Sequence, residues 1–256
     1  MRHPSAHISM LFAEHPYAER VGHARRAGFE WVESWWPESE EDREALVAAV
    51  AEHGVRVALV NTDGGDRAAG ERGHLCDPAR EEHARQVFLD GVELAARLRA
   101  RSLHALVGCV PPGVPETAAR EQAAGMLREL VPEATARGVA VVVEALNPHD
   151  APGYLTPAPE SVTALLNGID GAGLLLDAYH VARIGRDPAA EAARCAGAIG
   201  HVHVADAPGR TAPGTGSLDL PAFLDALGAA GYDGPIGLEY DPAGDTLGSL
   251  AFLRES

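Results

Sequence analysis

Short apolar runs rich in β-branched residues alternate with longer stretches of helical period from one end of the chain to the other. Eight runs are predicted as strands: Ala6 to Leu11, Phe29 to Trp35, Val55 to Asn61, Ser102 to Gly108, Ala140 to Leu146, Gly173 to Asp177, Ile199 to Ala205 and Pro235 to Tyr240. A helix is predicted after each. Ser39 ahead of Glu40, Glu41 and Asp42 reads as an N-cap with acidic residues in the first turn, and Gly54 closes that helix. Gly28, Gly138 and Gly231 mark three other helix ends. Pro221 falls in the first turn of the helix after the seventh strand, where a missing N–H costs little. The last helix, Thr246 to Arg254, is short and closes the pattern with a reduced outer layer.

Eight βα repeats with no break in composition and no linker predict one (β/α)8 barrel over residues 1–256, with a doubly wound sheet as the rival. The length of 256 residues suits such a barrel as a single domain. The longest irregular stretch, Thr62 to Asp77, carries GGDRAAGERG and follows the third strand on the face where barrels place active sites. A structural Ω-loop is the alternative.

Composition changes the picture by exclusion. With 46% hydrophobic and 23% charged residues the chain is of ordinary globular type, not disordered or membrane-buried. The 37 acidic against 21 basic residues give a formal charge of −16, which repels nucleic-acid backbones and anionic lipid surfaces. All 21 basic residues are arginine, so chemistries that need a lysine amine, such as Schiff-base aldolases, pyridoxal-phosphate enzymes and P-loop nucleotidases, are excluded. Cys76, Cys109 and Cys195 lie far apart without CxxC spacing, which fits a reducing cytoplasm. No targeting segment is read: the early apolar run, Ile8 to Ala13, is too short for a signal peptide or membrane span.

Candidate chemistry comes from the polar residues that close the apolar runs. The last four strands read VVVEALN with Glu144, LLLDAYH with Asp177, HVHVAD with His203 and GLEYDP with Glu239. Glu144 shares parity with Val142, Asp177 with Leu175 and Glu239 with Gly237, so all four residues can point into the barrel. Three carboxylates at the mouth of an apolar barrel repel one another and are costly to desolvate unless a cation neutralises them. Two Glu, one Asp and one imidazole suit a divalent metal, manganese or magnesium, with the imidazole favouring manganese. His201 has the parity of His203 and competes for its role, and each carboxylate alone could equally cap the next helix.

His180, three residues past Asp177, is expected in the following loop, within reach of a substrate. Arg210 after the seventh strand, Arg72 in the glycine-rich loop and Asn61 at the end of the third strand join it as candidate substrate contacts, the arginines for an anion. Trp35 and Trp36 close the second strand, where one can wall the pocket while the other packs behind it, although ordinary core packing is the favoured reading for either, and Cys109 reads as a buried small hydrophobe.

AHISMLF, AGERG, VEALNPHDAPGY, DAYH, HVHVADAPGR, PGTG and GLEYDP, in this order and spacing, resemble the hydroxypyruvate isomerase family of the xylose-isomerase-like TIM barrels, and equally its sister group, the 2-oxotetronate isomerases. The resemblance covers nearly the whole chain. It implies that Glu144 and Glu239 are an acid/base pair and also metal ligands together with Asp177 and His203. The sequence departs from the family at His203, where close relatives carry glutamine, at Asp241, where their EYKP has lysine, and at His7, where they show asparagine. Histidine at 203 instead resembles the ketose 3-epimerases and rhamnose isomerases. The implied activity is a metal-assisted 1,2-proton transfer between hydroxypyruvate and tartronate semialdehyde through an enediolate. The implied partner is a small keto acid or ketose, with neither nucleic acid nor membrane, and a homo-oligomer is compatible with the chain. The alternatives are a 2-oxotetronate isomerase, a ketose 3-epimerase, an endonuclease of the abasic-site type, and a non-catalytic sugar-acid binding protein.

Overall fold

In a computed structural model, which describes residue 1 and residues 3–254, eight parallel strands close into a barrel in chain order, each hydrogen-bonded to its sequence neighbours and the last to the first. The first half runs β1 (Pro4–His7), α1 (Tyr17–Arg26), β2 (Trp31–Ser34), α2 (Glu40–His53), β3 (Arg56–Asn61), α3 (Glu81–Leu98), β4 (Ser102–His104) and α4 (Glu116–Ala136). The second runs β5 (Ala140–Glu144), α5 (Pro159–Leu165), β6 (Ala172–Asp177), α6 (Ala178–Arg183), α7 (Pro188–Arg194), β7 (Ile199–Val204), α8 (Leu220–Ala229), β8 (Ile236–Leu238) and α9 (Thr246–Ser249). No helix among the described residues is long and apolar enough to cross a membrane.

Local signals act as expected. The Ser39 hydroxyl accepts the Asp42 N–H at the start of α2, and Gly54 ends that helix in the left-handed conformation, φ 61°. Pro221 sits in the first turn of α8, and the final helix is a single short turn of α9 continued as a 3₁₀ segment.

The first strand departs from the expectation. It is Pro4–His7, not Ala6 to Leu11, because the chain turns back directly after His7: the N–H groups of Met10 and Leu11 both bond to the His7 carbonyl, and Phe12 takes φ 59°. Ile8, Leu11 and Phe12 are fully buried all the same, so the apolar run is core that happens to be turn, an ambiguity inherent in short apolar runs. The fourth strand likewise stops at His104, and residues 105–108 form a loop bridged to the glycine-rich segment at Gly73 and Val107.

Two apolar layers result. Outward-facing strand residues such as Val32, Val60, Leu103, Val143, Leu176 and Val204 pack against Val21, Leu46, Phe88, Leu127 and Phe223 of the helices in one continuous core. Leu59, Val142 and Leu175 form a separate small cluster, which their strand parity places inside the barrel. At about 1.5–3 kcal/mol for each fully buried Val, Leu or Phe side chain, the outer layer supplies most of the stabilisation. The interior is thereby free to hold polar groups, and two residues further along those same strands stand Asn61, Glu144 and Asp177.

Candidate active site

Glu144, Asp177, His203 and Glu239 are all buried, and they offer ligand atoms that lie within 4.8 Å of one another. Strand parity aims them inward at the C-terminal mouth from β5, β6, β7 and the residue after β8. Asp177 does two jobs at once. Its Oδ1 accepts the Tyr179 N–H at 2.7 Å as the N-cap of α6, and this fixes the rotamer that turns Oδ2 towards the cluster. Among the described residues, Asp177 Oδ2 and Glu144 Oε1 are buried without a hydrogen-bond partner. Two buried carboxylate oxygens left without a hydrogen bond beside each other are costly unless something meets them there. An oxygen-rich set with one imidazole fits a hard divalent cation.

Glu239 is held from three sides: Trp35 Nε1–H donates to its Oε1 at 2.7 Å, Arg210 Nη2–H donates to its Oε2 at 2.6 Å, and His203 Nδ1 lies 3.0 Å from Oε2. Burial alone would raise the pKa of this carboxyl, but Arg210 and His203 outweigh it and hold it well below the usual range. Glu144 goes the other way, pushed well up by burial and by the charges of Glu239 and Asp177. The two glutamates thus experience opposite environments across one mouth, the like-charge stress that a cation relieves.

His203, not His201, belongs to the cluster. The discriminating residue is Glu33 in β2, which is fully buried beneath the site. Its Oε2 lies 2.8 Å from His203 Nε2 and its Oε1 3.1 Å from His201 Nε2, so His201 is bound one level deeper. Burial would raise the Glu33 pKa, yet the two imidazoles drive it far below the usual carboxylate range. Gly237, paired with His203 in the sheet, makes room: a Cβ there would come within 2.4 Å of Glu33 Oε2 and 2.5 Å of His203 Cδ2.

The candidate substrate contacts divide. Asn61, Arg72, His180 and Arg210 all line one cavity of about 610 Å³ that opens over Glu144 and Glu239. His180 is in α6, not in a loop, because Asp177 starts that helix at once. The Asn147 backbone N–H donates to its Nδ1 at 3.2 Å, which leaves Nε2–H pointing at Glu144 and Asp177, 3.6 and 3.8 Å away. Arg72 is occupied by the backbone, donating to the carbonyls of Glu71 and Arg67. Both Trp35 and Trp36 line the cavity, whereas Cys109 and the exposed Asp241 do not.

Four residues escape a reading confined to the last four strands: His7, Glu33, His104 and Arg67. His104 Nε2 lies 3.7 Å from Glu144 and His7 Nε2 lies 3.6 Å from Glu239. Burial lowers their pKa values to about 3 for His104 and about 4 for His7, as it lowers His180 to about 4, so all three are neutral imidazoles at neutral pH. The rule that found Glu144 finds the strand residues too, since a polar residue closes or nearly closes each of the first four strands: His7, Glu33, Asn61 and His104. Arg67, on the loop, has no such signal.

Comparison with known proteins places the barrel in a family. The family described as xylose isomerase-like TIM barrel matches residues 21–256. A protein of Streptomyces coelicolor, provisionally named hydroxypyruvate isomerase, is 37% identical over 94% of this chain and 91% of its own. A 2-oxo-tetronate isomerase of Cupriavidus necator is 32% identical over 98% of this chain and 96% of its own. A solved structure from Brucella melitensis, described as an AP endonuclease of family 2, superposes with a TM-score of 0.93 at 31% identity, covering 100% of this chain and 99% of that one.

Proposed function

The chain belongs to the xylose isomerase-like TIM-barrel family, and from that premise we propose that it is a divalent-metal-dependent isomerase that interconverts hydroxypyruvate and tartronate semialdehyde. One observation carries the reading: two glutamates, an aspartate and a histidine offer ligand atoms within 4.8 Å of one another, with a buried oxygen of Glu144 and of Asp177 lacking a hydrogen bond among the described residues, and the two glutamates open onto a single cavity. Glu144, Asp177, His203 and Glu239 would hold the cation. When bound, a magnesium- or manganese-type ion supplies Lewis-acid polarisation of the substrate carbonyl and hydroxyl oxygens.

Glu144 and Glu239 do the proton work. One takes a proton from the hydroxymethyl carbon of hydroxypyruvate while the carbonyl oxygen gains one, giving an enediol. A proton returned to the former carbonyl carbon, with loss of the other hydroxyl proton, gives the aldehyde. The two glutamates come from β5 and β8, which do not pair with each other, so they approach a substrate from different sides of the mouth. His180 Nε2–H, oriented by Asn147, is a ready donor to a substrate oxygen, and the Trp35 N–H and Arg210 keep Glu239 in one position. Trp35, Trp36, Leu106 and Leu146 supply the cavity's apolar wall, which limits water around a reactive intermediate.

A nuclease reading is disfavoured by the same cavity. Its rim carries Glu38, Asp63, Asp66 and Asp150, and the chain carries a net charge of −16, both adverse to a phosphate backbone.

The test is proton NMR of hydroxypyruvate with the protein and manganese in deuterium oxide, with an EDTA-treated control and a neutral ketose in parallel. The expected result is metal-dependent deuterium uptake with an aldehyde product. Exchange confined to the ketose would transfer the protein to the 3-epimerases, and ligand binding without exchange would make it a sugar-acid binding protein.

A further inference from the structure

Three arginines line the cavity among the described residues, and their partners separate them. Arg210 is committed to Glu239, by Nη2 to the carboxylate and by Nε to the carbonyl at 3.3 Å. Arg72 is committed to two backbone carbonyls. The Arg67 guanidinium makes neither a hydrogen bond nor an ion pair with any described residue, and its contact is the Trp35 ring, with Cζ 3.7 Å from the centroid. Over an indole, a guanidinium uses its face and keeps its N–H edges free for a planar, bidentate anion.

Resting on the isomerase reading above, we propose that Arg67 is the receptor for a substrate carboxylate, which makes the site selective for a short 2-keto acid over a neutral ketose of the same length. The backbone that presents Arg67 is fixed in advance. Asp66 Oδ1 accepts the N–H groups of Ala68 and Ala69, and the Arg67 carbonyl accepts from Gly70 N–H and from Arg72. The loop is then tied down by Gly73, whose N–H bonds to the Gly64 carbonyl and which bridges to Val107. At Gly73 a Cβ would fall 2.0 Å from the Leu106 carbonyl oxygen, so only glycine allows this approach.

Placement and charge both suit the assignment. Trp35 carries Arg67 on its face and donates its N–H to Glu239, so an anion held by Arg67 lies one indole away from the reacting glutamate. Desolvation and then the neighbouring cations Arg72 and Arg210 depress the proton affinity of Arg67, a strain that an anionic ligand relieves. A chain of net charge −16 has particular need of such a local positive site to admit a carboxylate.

The experiment compares hydroxypyruvate with dihydroxyacetone, in which CH2OH replaces the carboxylate, on the manganese-loaded wild type and on Arg67→Gln and Arg67→Lys. A charge-assisted hydrogen bond lost from the ground state and the transition state alike raises KM for hydroxypyruvate by about 10- to 100-fold in Arg67→Gln and leaves kcat unchanged. Dihydroxyacetone kinetics stay the same in every variant, and Arg67→Lys recovers part of the affinity because it keeps the charge without the fork. If the wild type turns over hydroxypyruvate and Arg67→Gln leaves its KM unmoved, the carboxylate receptor is overturned and the isomerase reading stands. A wild type that processes dihydroxyacetone but not hydroxypyruvate overturns both.

Discussion

The carboxylates at the barrel mouth and the guanidiniums above them are built on different kinds of backbone. Asp177 is locked by capping α6, and Glu239 is gripped by Trp35, Arg210 and His203, so barrel and neighbours together fix their positions. Arg67 stands on an ordered loop at an exposed position, and its guanidinium lies over an indole face without a hydrogen bond or ion pair to any described residue. Proton transfer falls off steeply with small displacements, whereas a carboxylate can be received over a range of positions. The groups proposed to react therefore sit where the sheet leaves little freedom, and the group proposed to recognise the carboxylate sits where some remains. Disturbing the first should cost turnover, and disturbing the second should cost affinity.

The most severe test of that division removes one reacting carboxylate. Glu144→Gln and Glu239→Gln, made separately, should each lower kcat by about 10²- to 10⁴-fold, the usual worth of a positioned acid or base. The amide nearly preserves shape, so the fold should survive, as circular dichroism would show. A loss of less than tenfold in either variant would remove that glutamate from the proton work and break the comparison with Arg67.

Next in size is Glu33, which touches no substrate and lies beneath the cluster. Its carboxylate takes the Nε2 side of His203 and leaves Nδ1 facing Glu239, the orientation a ligating imidazole needs. Glu33→Gln should weaken manganese binding by about 10- to 100-fold, the range seen when such an orienting partner is lost. Calorimetric titration of manganese into the metal-free variant measures this directly, without reference to turnover. An unchanged affinity would show that His203 is oriented by the sheet alone.

How much of this could be read from the sequence follows the same line between strand and loop. Glu144, Asp177 and Glu239 were legible because a period of two residues fixes which side chains face inward, and Val142 and Leu175 beneath them confirm the parity. His203 and His201 were not separable by that rule, since they share parity and burial. What separates them is a contact with Glu33 from the far side of the sequence, invisible to local pattern. The register of β6 places His180, three residues past Asp177, beyond the strand and so in a loop, whereas Asp177 starts α6 at once and is placed both to cap that helix and to join the cluster. Arg67 had no signal at all, because a loop residue has no periodicity to aim it. Asp241 was legible as a departure from the family, but only its exposure showed that it takes no part in the cavity wall.

The smallest expected effect contrasts the Arg210–Glu239 pair, whose carboxylate is buried, with an ion pair of the same chemistry outside the barrel. Glu160 at the start of α5 accepts from both terminal nitrogens of Arg186 at 2.6 Å, and from Arg194 of α7 at 3.3 Å, so it ties two outer helices together. The Arg186 hydrogen bonds lower its pKa from 4.5 to about 2. A carboxylate depressed in the folded state stabilises the fold above its ordinary pKa, and the contribution is lost as pH falls from about 4.5 towards 2. With the Glu160 side chain 48% exposed, solvent screens the pair, and its worth should be under about 1 kcal/mol despite the good geometry. Urea unfolding of Glu160→Gln should therefore show a small loss at neutral pH, reduced further by added salt, and the variant and wild-type stabilities should converge as the solution is acidified. A loss above about 2 kcal/mol that salt does not diminish would mean that the outer pair behaves like a buried one, and that dielectric surroundings do not separate the mouth of this barrel from its surface.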